Sequence, residues 1–333
     1  MNTVSDMPHN HETQEGMVYL SFAPKPDADL IELGNALKHC AYHFTTVSPA
    51  THARVNGRAG NEWARDLAGV FGWSRPFHAA AVPSEIFALM HDAGILIPCQ
   101  DGFRSGLRAS TLGGQLFFHS AYPTTENDSV FFGPDTYRFA NAIDQFFILQ
   151  PAPVRRAIDI CCGAGPGAVI VAKHCPEAEV LATDINPSAL RLASVNAVLA
   201  DAANVMPSAS NLLADVSGNF DLIISNPPYL VDPAKRAYRH GGGPLGAALS
   251  LDIIDASLAR LNSGGTLLLY TGAAIVDSID PLYQAVEEKL RDQPVQWTYR
   301  EIDPDIFGEE LLCEAYLESD RIAAVVLTVT LQT

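Results

Sequence analysis

The chain has 333 residues, 48% hydrophobic and 18% charged, a balance typical of a folded protein with length for about two domains. Its 38 acidic against 21 basic side chains leave a formal charge of -17, which works against extended contact with nucleic acid, because affinity for a duplex rests on Lys and Arg neutralising phosphates. No stretch reaches the roughly 18 consecutive apolar residues of a membrane span, and the polar opening Met1–Gly16 lacks a signal-peptide core, so a soluble cytoplasmic protein is expected.

Residues 1–16 read as a disordered tail, with His9 and His11 too isolated to form a metal site. From Asp27 to about Gly72 the pattern is helical: Leu30, Leu33 and Leu37, then Trp63, Leu67, Val70 and Phe71, recur at three- and four-residue steps. The run Ser84–Met90 continues it and Gly94 stops it. Between Gly106 and Ser120 the period changes to alternation around Gly113-Gly114, a hairpin signal. Helices followed by a hairpin suggest a small winged-helix-like module at about 25–125, within an N-terminal domain spanning 17–129 that serves substrate recognition, as a lid, or in dimerisation. The segment Val130–Gln150 opens a second domain, 130–333. It has Pro134 at a helix start, Asp135 in the first turn, and Phe139, Ile143 and Phe146 on one face.

From Arg155 the rhythm is strand, glycine turn, helix, strand. Strands are expected at Ala157–Ile160, Val180–Thr183, Phe220–Ser225 and Thr266–Tyr270, and helices at Val169–His174, Pro187–Ala200 and Leu249–Leu261. Such alternation means a doubly wound parallel α/β sheet. Val295–Ile302 and Ala323–Leu331 read as two more strands without a crossover helix between them, hence an antiparallel terminal hairpin. Cys40, Cys99, Cys161, Cys162, Cys175 and Cys313 include no C-x-x-C pair, so they read as reduced thiols, with Cys161 and Cys162 small and buried.

Three motifs carry chemistry. The first, Asp159 through Ala168, is a strand running into a glycine turn that opens a helix. Its glycines let the backbone approach a ligand closely, at the strand ends where open sheets bind ligands. The second is Thr183-Asp184-Ile185-Asn186, whose Asp184 stands 21 residues after Gly163 and can accept two ribose hydroxyls. Gly163, Gly165 and Ala168 also satisfy a dinucleotide pattern, so an NAD-binding protein competes at this point. Against it, Asp159 interrupts the apolar strand, which suits a site that meets an ammonium group or orders the turn. Pro166 also removes a donor that a pyrophosphate would need.

The third motif, Asn226-Pro227-Pro228-Tyr229, ends the strand Phe220–Ser225 on the same rim. Its two prolines stiffen the backbone and leave the Pro227 carbonyl free to accept, the Asn226 side-chain oxygen is a second acceptor, and Tyr229 offers an aromatic face. Two acceptors can hold both hydrogens of one NH2 group. That favours a pyramidal nitrogen with its lone pair freed for attack on a methyl group, without a strong base.

Asp159–Gly167, Thr183–Leu190 and Ser225–Leu230 resemble the three landmark motifs of class I S-adenosylmethionine-dependent methyltransferases, nearest to the protein-(glutamine-N5) methyltransferases and the amino-group methyltransferases of ribosomal RNA. The resemblance covers about residues 130–331. It implies a Rossmann-like seven-stranded sheet with an antiparallel last strand. By the same resemblance Asp159, Gly163, Gly165 and Gly167 line the methionine part of S-adenosyl-L-methionine, Asp184 the ribose and Asp215 the adenine amino group. Asn226, Pro227 and Tyr229 hold the target nitrogen, with Asn226 also bordering the cofactor. Gly133-Pro134-Asp135-Thr136 is similar to a proline-containing segment that precedes the catalytic domain of the glutamine methyltransferases.

The expected activity is methyl transfer to a planar amide or amino nitrogen of a protein glutamine or a small molecule. An RNA amino group, a non-methylating use of the cofactor, and NAD binding are the alternatives. Lys235, Arg236, Arg239 and His240 are the one basic run, read equally as a phosphate contact or a solvated loop. The glycines of His240–Leu245 read as a mobile loop or a plain helix entry, and the acids of Glu301–Asp305 and Phe307–Glu310 as a solvated surface or as charge that repels nucleic acid or attracts a cationic substrate. No metal-ligand cluster stands out.

Overall fold

The computed structural model describes residues 27–149 and 153–332; the expected tail over 1–16 lies outside them. Helix α1 (Ala28–His39) starts where the Asp27 carboxylate accepts from the Leu30 amide, and it buries the stripe Leu30, Leu33 and Leu37. Helix α2 (Pro49–Asn56) is capped by Ser48. The helical pattern read across Asp27–Gly72 is thus interrupted: Trp63 and Leu67 lie outside regular helix, and Val70 and Phe71 belong to one π-helical turn at Ala68–Gly72. At the end of that turn Gly72 packs closely, since a Cβ there would stand 2.2 Å from the Phe44 ring.

Helix α3 (Ser84–Asp92) is followed by two hairpins, β1 (Leu96–Cys99) with β2 (Gly102–Ser105) and β3 (Leu107–Leu112) with β4 (Gln115–Ser120). The second turns at Gly113-Gly114 as predicted, both glycines at positive φ. The first gives no periodic signal, because its four-residue strands include Pro98 and do not alternate in burial.

After α4 (Pro134–Leu149) come β5 (Arg156–Ile160), α5 (Pro166–His174), β6 (Glu179–Asp184), α6 (Pro187–Leu199), β7 (Val205–Ala209) and β8 (Phe220–Ser225). The chain then forms α7 (Ala248–Leu258), β9 (Leu261–Val276), α8 (Pro281–Leu290), β10 (Val295–Asp303) and β11 (Ser319–Leu331). The seven strands lie in the order β10-β11-β9-β8-β5-β6-β7. From β7 across to β9 neighbours are parallel, while β11 is antiparallel to both β9 and β10. This is the α/β sheet with an antiparallel last strand that the motifs imply.

Strands after β5 are added first on one side and then on the other, so the crevice above the ends of β5 and β8 is the switch point where ligands bind. Two elements escape the sequence pattern. Strand β7 is a short edge strand interrupted by Pro207, and α8 is announced only by its Asp280 cap and Pro281. Leu261 opens the long strand β9 instead of closing a helix.

Alternation along β5 sends Ile158 and Ile160 into a core with Ile253 and Val286, and Ala157 into one with Ile143 and Val169 on the opposite face. A third core joins the N-terminal region to α6: Leu30, Leu33 and Leu37 pack with Leu192, Val195 and Leu199. Asn196, fully buried on α6, pins this contact. Its oxygen accepts from the Phe118 amide at 2.8 Å, and its NH2 donates to the carbonyls of Phe118 and Ala164 at 3.0 and 2.9 Å.

Candidate active site

The carboxyl ends of β5, β6 and β8 open into a cleft of about 1280 Å³ measured out to its mouth. The glycine turn forms its floor. Asp159 is buried beneath it and accepts from the Ala168 amide at 2.9 Å, so one carboxylate oxygen orders the start of α5. Gly167 has to be glycine, because a Cβ there would stand 2.7 Å from that carboxylate and from Phe139. Gly163, at φ 53°, faces open space on the cleft wall. Gly165 does not line the cleft: at φ 80° it caps α5 with its back against Ala193, which makes its part that of shaping the turn.

Burial pushes the Asp159 carboxyl up to about 8; the neighbouring Asp184 charge adds to this and the Ala168 amide opposes it. Asp184 accepts from the Gly163 amide through one oxygen and from the Asn186 amide through the other, each at 2.9 Å. Each oxygen keeps a further lone pair, as a diol-binding carboxylate needs. Burial raises this carboxyl too, against the pull of its three backbone donors. Cys161 and Cys162 line the same turn as thiols that burial pushes up, in keeping with a packing role.

The structure places Asp215 apart from the other expected cofactor residues. It is exposed and does not line the cleft; the wall beyond β7 is made by Ser210, Asn211 and Leu212. Leu212 takes a positive φ of 53°, and the turn carries the chain outward before residue 215, whose amide donates back to Ser210 Oγ at 3.2 Å.

Strand β8 is held at its end by Ser225, which donates to the Ile160 carbonyl at 2.7 Å, so the turn that follows is set directly beside the glycine turn. The Asn226 side-chain amide lines the cleft and has no partner among the described residues, and the Pro227 carbonyl has no described donor. Tyr229 is fixed from two sides. Its hydroxyl donates to Asp135 at 2.7 Å, and a Cβ on Gly272 would come within 2.4 Å of its ring.

Asp135, which the sequence marks as a first-turn acid of α4 and as part of the Gly133–Thr136 segment, is the buried hub of this wall. It also accepts from the Tyr270 hydroxyl at 2.7 Å and from Arg138 at 3.1 Å, and Arg138 reaches Asp303 at 2.7 Å. Burial raises the Asp135 carboxyl while these donors pull it down. Its one local signal is an acid beside a helix-opening proline, in a helix whose other buried positions are mostly apolar.

The glycines after the turn serve close packing. A Cβ on Gly241 would stand 2.6 Å from the Pro228 carbonyl oxygen, and one on Gly246 would stand 2.2 Å from that of Tyr229. The Gly241 amide donates to the Leu230 carbonyl at 2.8 Å, so this is a helix entry braced against the back of the turn. The basic run is largely neutralised. Arg236 makes a two-pronged ion pair with Asp232, at 2.8 Å for each prong, and Arg239 pairs with Glu310. Of the terminal acids, Glu301 pairs with Arg321 and Asp303 with Arg138. Among the described residues no group of His, Cys, Asp or Glu has metal-ligand geometry.

The sheet order and this cleft agree with the seven-stranded α/β architecture expected from the motifs. Residues 146–276 match the family model of the methyltransferase small domain. The chain is similar to the release factor glutamine methyltransferase of Deinococcus radiodurans, 35% identical over 48% of this chain and 57% of that one. It is also similar to the ribosomal RNA small subunit methyltransferase C of Erwinia tasmaniensis, 34% identical over 44% of this chain and 38% of that one. A third relative is the 4-amino-L-phenylalanine/4-methylamino-L-phenylalanine methyltransferase of Streptomyces pristinaespiralis, 33% identical over 38% of this chain and 47% of that one. The chain thus spans between about two fifths and three fifths of the length of these relatives.

Proposed function

We propose that the chain is an S-adenosylmethionine-dependent N-methyltransferase acting on a planar amide or amino nitrogen. The observation that carries this reading is the unpartnered Asn226 amide beside the undonated Pro227 carbonyl, on one cleft with the buried Asp159 and the two-oxygen acceptor Asp184. The residues fit S-adenosylmethionine: Gly163 leaves room at the floor, Asp159 is a buried carboxylate awaiting a cation, Asp184 meets a diol, and Ser210–Leu212 border the remaining wall. When bound, this group supplies an electrophilic methyl attached to a positively charged sulfur.

The protein's part is to hold and orient. Asn226 and Pro227 accept both N–H bonds of the acceptor, freeing its lone pair, and Tyr229 provides a rigid flat surface beside it. The family match and the names of the three relatives support the same reaction class. An NAD reading is less well supported, because Pro166 removes an amide at the first position of α5 and Gly165 is turned away from the cleft.

Protein glutamine and small-molecule amines are the acceptor classes in view. An RNA amino group is disfavoured by the paired arginines and by the charge of -17. Ser129, at the end of the N-terminal region, lines the cleft, which supports a part for that region in acceptor recognition or as a lid. No helix among the described residues is long and apolar enough to cross a membrane, and a cytoplasmic location is proposed with the rest. Isothermal titration tests the cofactor. S-Adenosylmethionine is expected to bind and NAD is not; binding of NAD alone overturns the reading.

A further inference from the structure

We infer that the protein forms a two-fold dimer in which β10 of one copy pairs antiparallel with β10 of the other, centred on Thr298, so that the two sheets join into one.

The two ends of the sheet are built differently. Strand β7, at one end of the order, has five residues and is interrupted by Pro207. Strand β10, at the other, runs for nine residues from Val295 to Asp303 without a proline or a lysine, the residues that commonly guard an edge. Pro294 and Pro304 stand just outside it. One bond sets its backbone parity. The Gln332 amide donates to the Pro294 carbonyl at 2.8 Å, so even-numbered residues exchange bonds with β11, and the N–H and C=O groups of Trp297, Tyr299 and Glu301 point away from the sheet. Among the described residues no backbone group pairs with them.

The side chains at this edge are ordered before any partner arrives. Trp297 and Tyr299 are half-buried, with Tyr283 of α8 in ring contact with them at 5.9 and 5.3 Å, and the Tyr299 hydroxyl donates to Asp280 at 2.6 Å. Tyr283 is 38% exposed, so an aromatic cluster stays open to solvent beside the free backbone groups. Gln296, Thr298 and Arg300 alternate onto the other face and are exposed.

A second copy is favoured over another partner because the strand is complementary to itself. Regular pairing with β11 covers Val295–Glu301 and shifts before Asp303, so the midpoint of the regular run is Thr298. A two-fold axis there sets Trp297 opposite the partner's Tyr299, and Tyr299 opposite the partner's Trp297. These residues carry the outward backbone groups, so each pair exchanges two N–H···O bonds while its rings meet on one face. Arg300 lies opposite the partner's Gln296 and Glu301 opposite the partner's Val295, with no like charges opposed. The regular run holds one Arg and one Glu, so the seam is neutral although each chain carries -17. Thr298 faces its own copy in a pair without backbone bonds, where Cα atoms approach to about 4.5 Å.

That approach falls within the roughly 4.4 to 6.8 Å that a disulfide spans. Full-length Thr298→Cys under mild oxidation is expected to give a covalent dimer on a non-reducing gel at least tenfold faster than the unmodified chain, whose free cysteines set the background. Gln296→Cys and Arg300→Cys should stay at that background, because each is offset from its own copy by four residues, about 13 Å along the strand. Light scattering of the unmodified chain at micromolar concentration should give twice the mass of one chain. Thr298→Lys changes an exposed position outside the cleft and sets like charges face to face, so it should raise the dimer dissociation constant about fivefold or more with an unchanged far-ultraviolet dichroism spectrum. A single-chain mass, which would leave the edge to a strand of another protein, overturns the dimer, and so does a dimer insensitive to Thr298→Lys. Cross-linking no faster at Thr298→Cys than at Gln296→Cys or Arg300→Cys overturns the pairing.

Discussion

Two side chains on the cleft make separable contributions. The Asn226 side chain makes no hydrogen bond to another described residue, so Asn226→Ala should cost little stability and remove methyl transfer, while cofactor affinity stays within about tenfold, or about 1.4 kcal/mol. Single-turnover transfer set beside titration of the cofactor checks this, and equal losses in both would assign Asn226 a structural part. The proposed contact of Asp159 with the cofactor's ammonium group makes affinity pH-dependent. Its buried carboxyl holds a proton below about 8 in the free protein, and a bound ammonium group favours the carboxylate. Cofactor binding therefore releases a proton below that pH, and affinity rises from pH 6 to 8 by up to about tenfold per unit before levelling. For the free protein the sign is opposite. A raised folded pKa contributes stability that is full below the unfolded value of about 4 and is lost as pH rises through about 8. Titration calorimetry in buffers of different ionisation enthalpy measures the released proton, and Asp159→Asn should flatten the profile.

Strand β9 and helix α6 support the site through Gly272 and Asn196, neither of which lines the cleft. Gly272 lets β9 pass against the Tyr229 ring, and the strand, paired on both sides by β8 and β11, has little freedom to withdraw. Gly272→Ala should therefore displace Tyr229 and lower transfer at least tenfold with cofactor affinity nearly unchanged; parallel losses of both would place the damage in the whole sheet. On α6, Asn196→Ala leaves three buried backbone groups of Phe118 and Ala164 without partners. A loss of about 2 to 4 kcal/mol in urea unfolding is expected. The elements themselves show what local sequence conveys. Strand β8 and helix α6 follow from uninterrupted period and caps, whereas β7 and the hairpin β1–β2 escape because Pro98, Pro207 and their shortness erase the pattern.

At the scale of the whole molecule, the N-terminal region shares a core with α6, so the two parts should unfold as one. Calorimetry is expected to show a single transition, and a chain truncated to 130–333 should aggregate, because it exposes Leu192, Val195 and Leu199. Two well-separated transitions would mean independent domains. The sequence by itself determined the alternating sheet, the glycine turn at Gly163–Gly167, and the placing of Asp184 and Asn226 on one rim, because each is a matter of local period and turn chemistry. Only the tertiary structure decided that Asp135 holds Tyr229 from 94 residues away, that Asp215 turns outward at Leu212, that Gly241 and Gly246 brace the catalytic turn, and that Arg236 and Arg239 are neutralised. These depend on which remote surfaces meet when the sheet closes and its connections fold over it. A linear pattern carries no record of that, since the same residues in a short window are compatible with many neighbours.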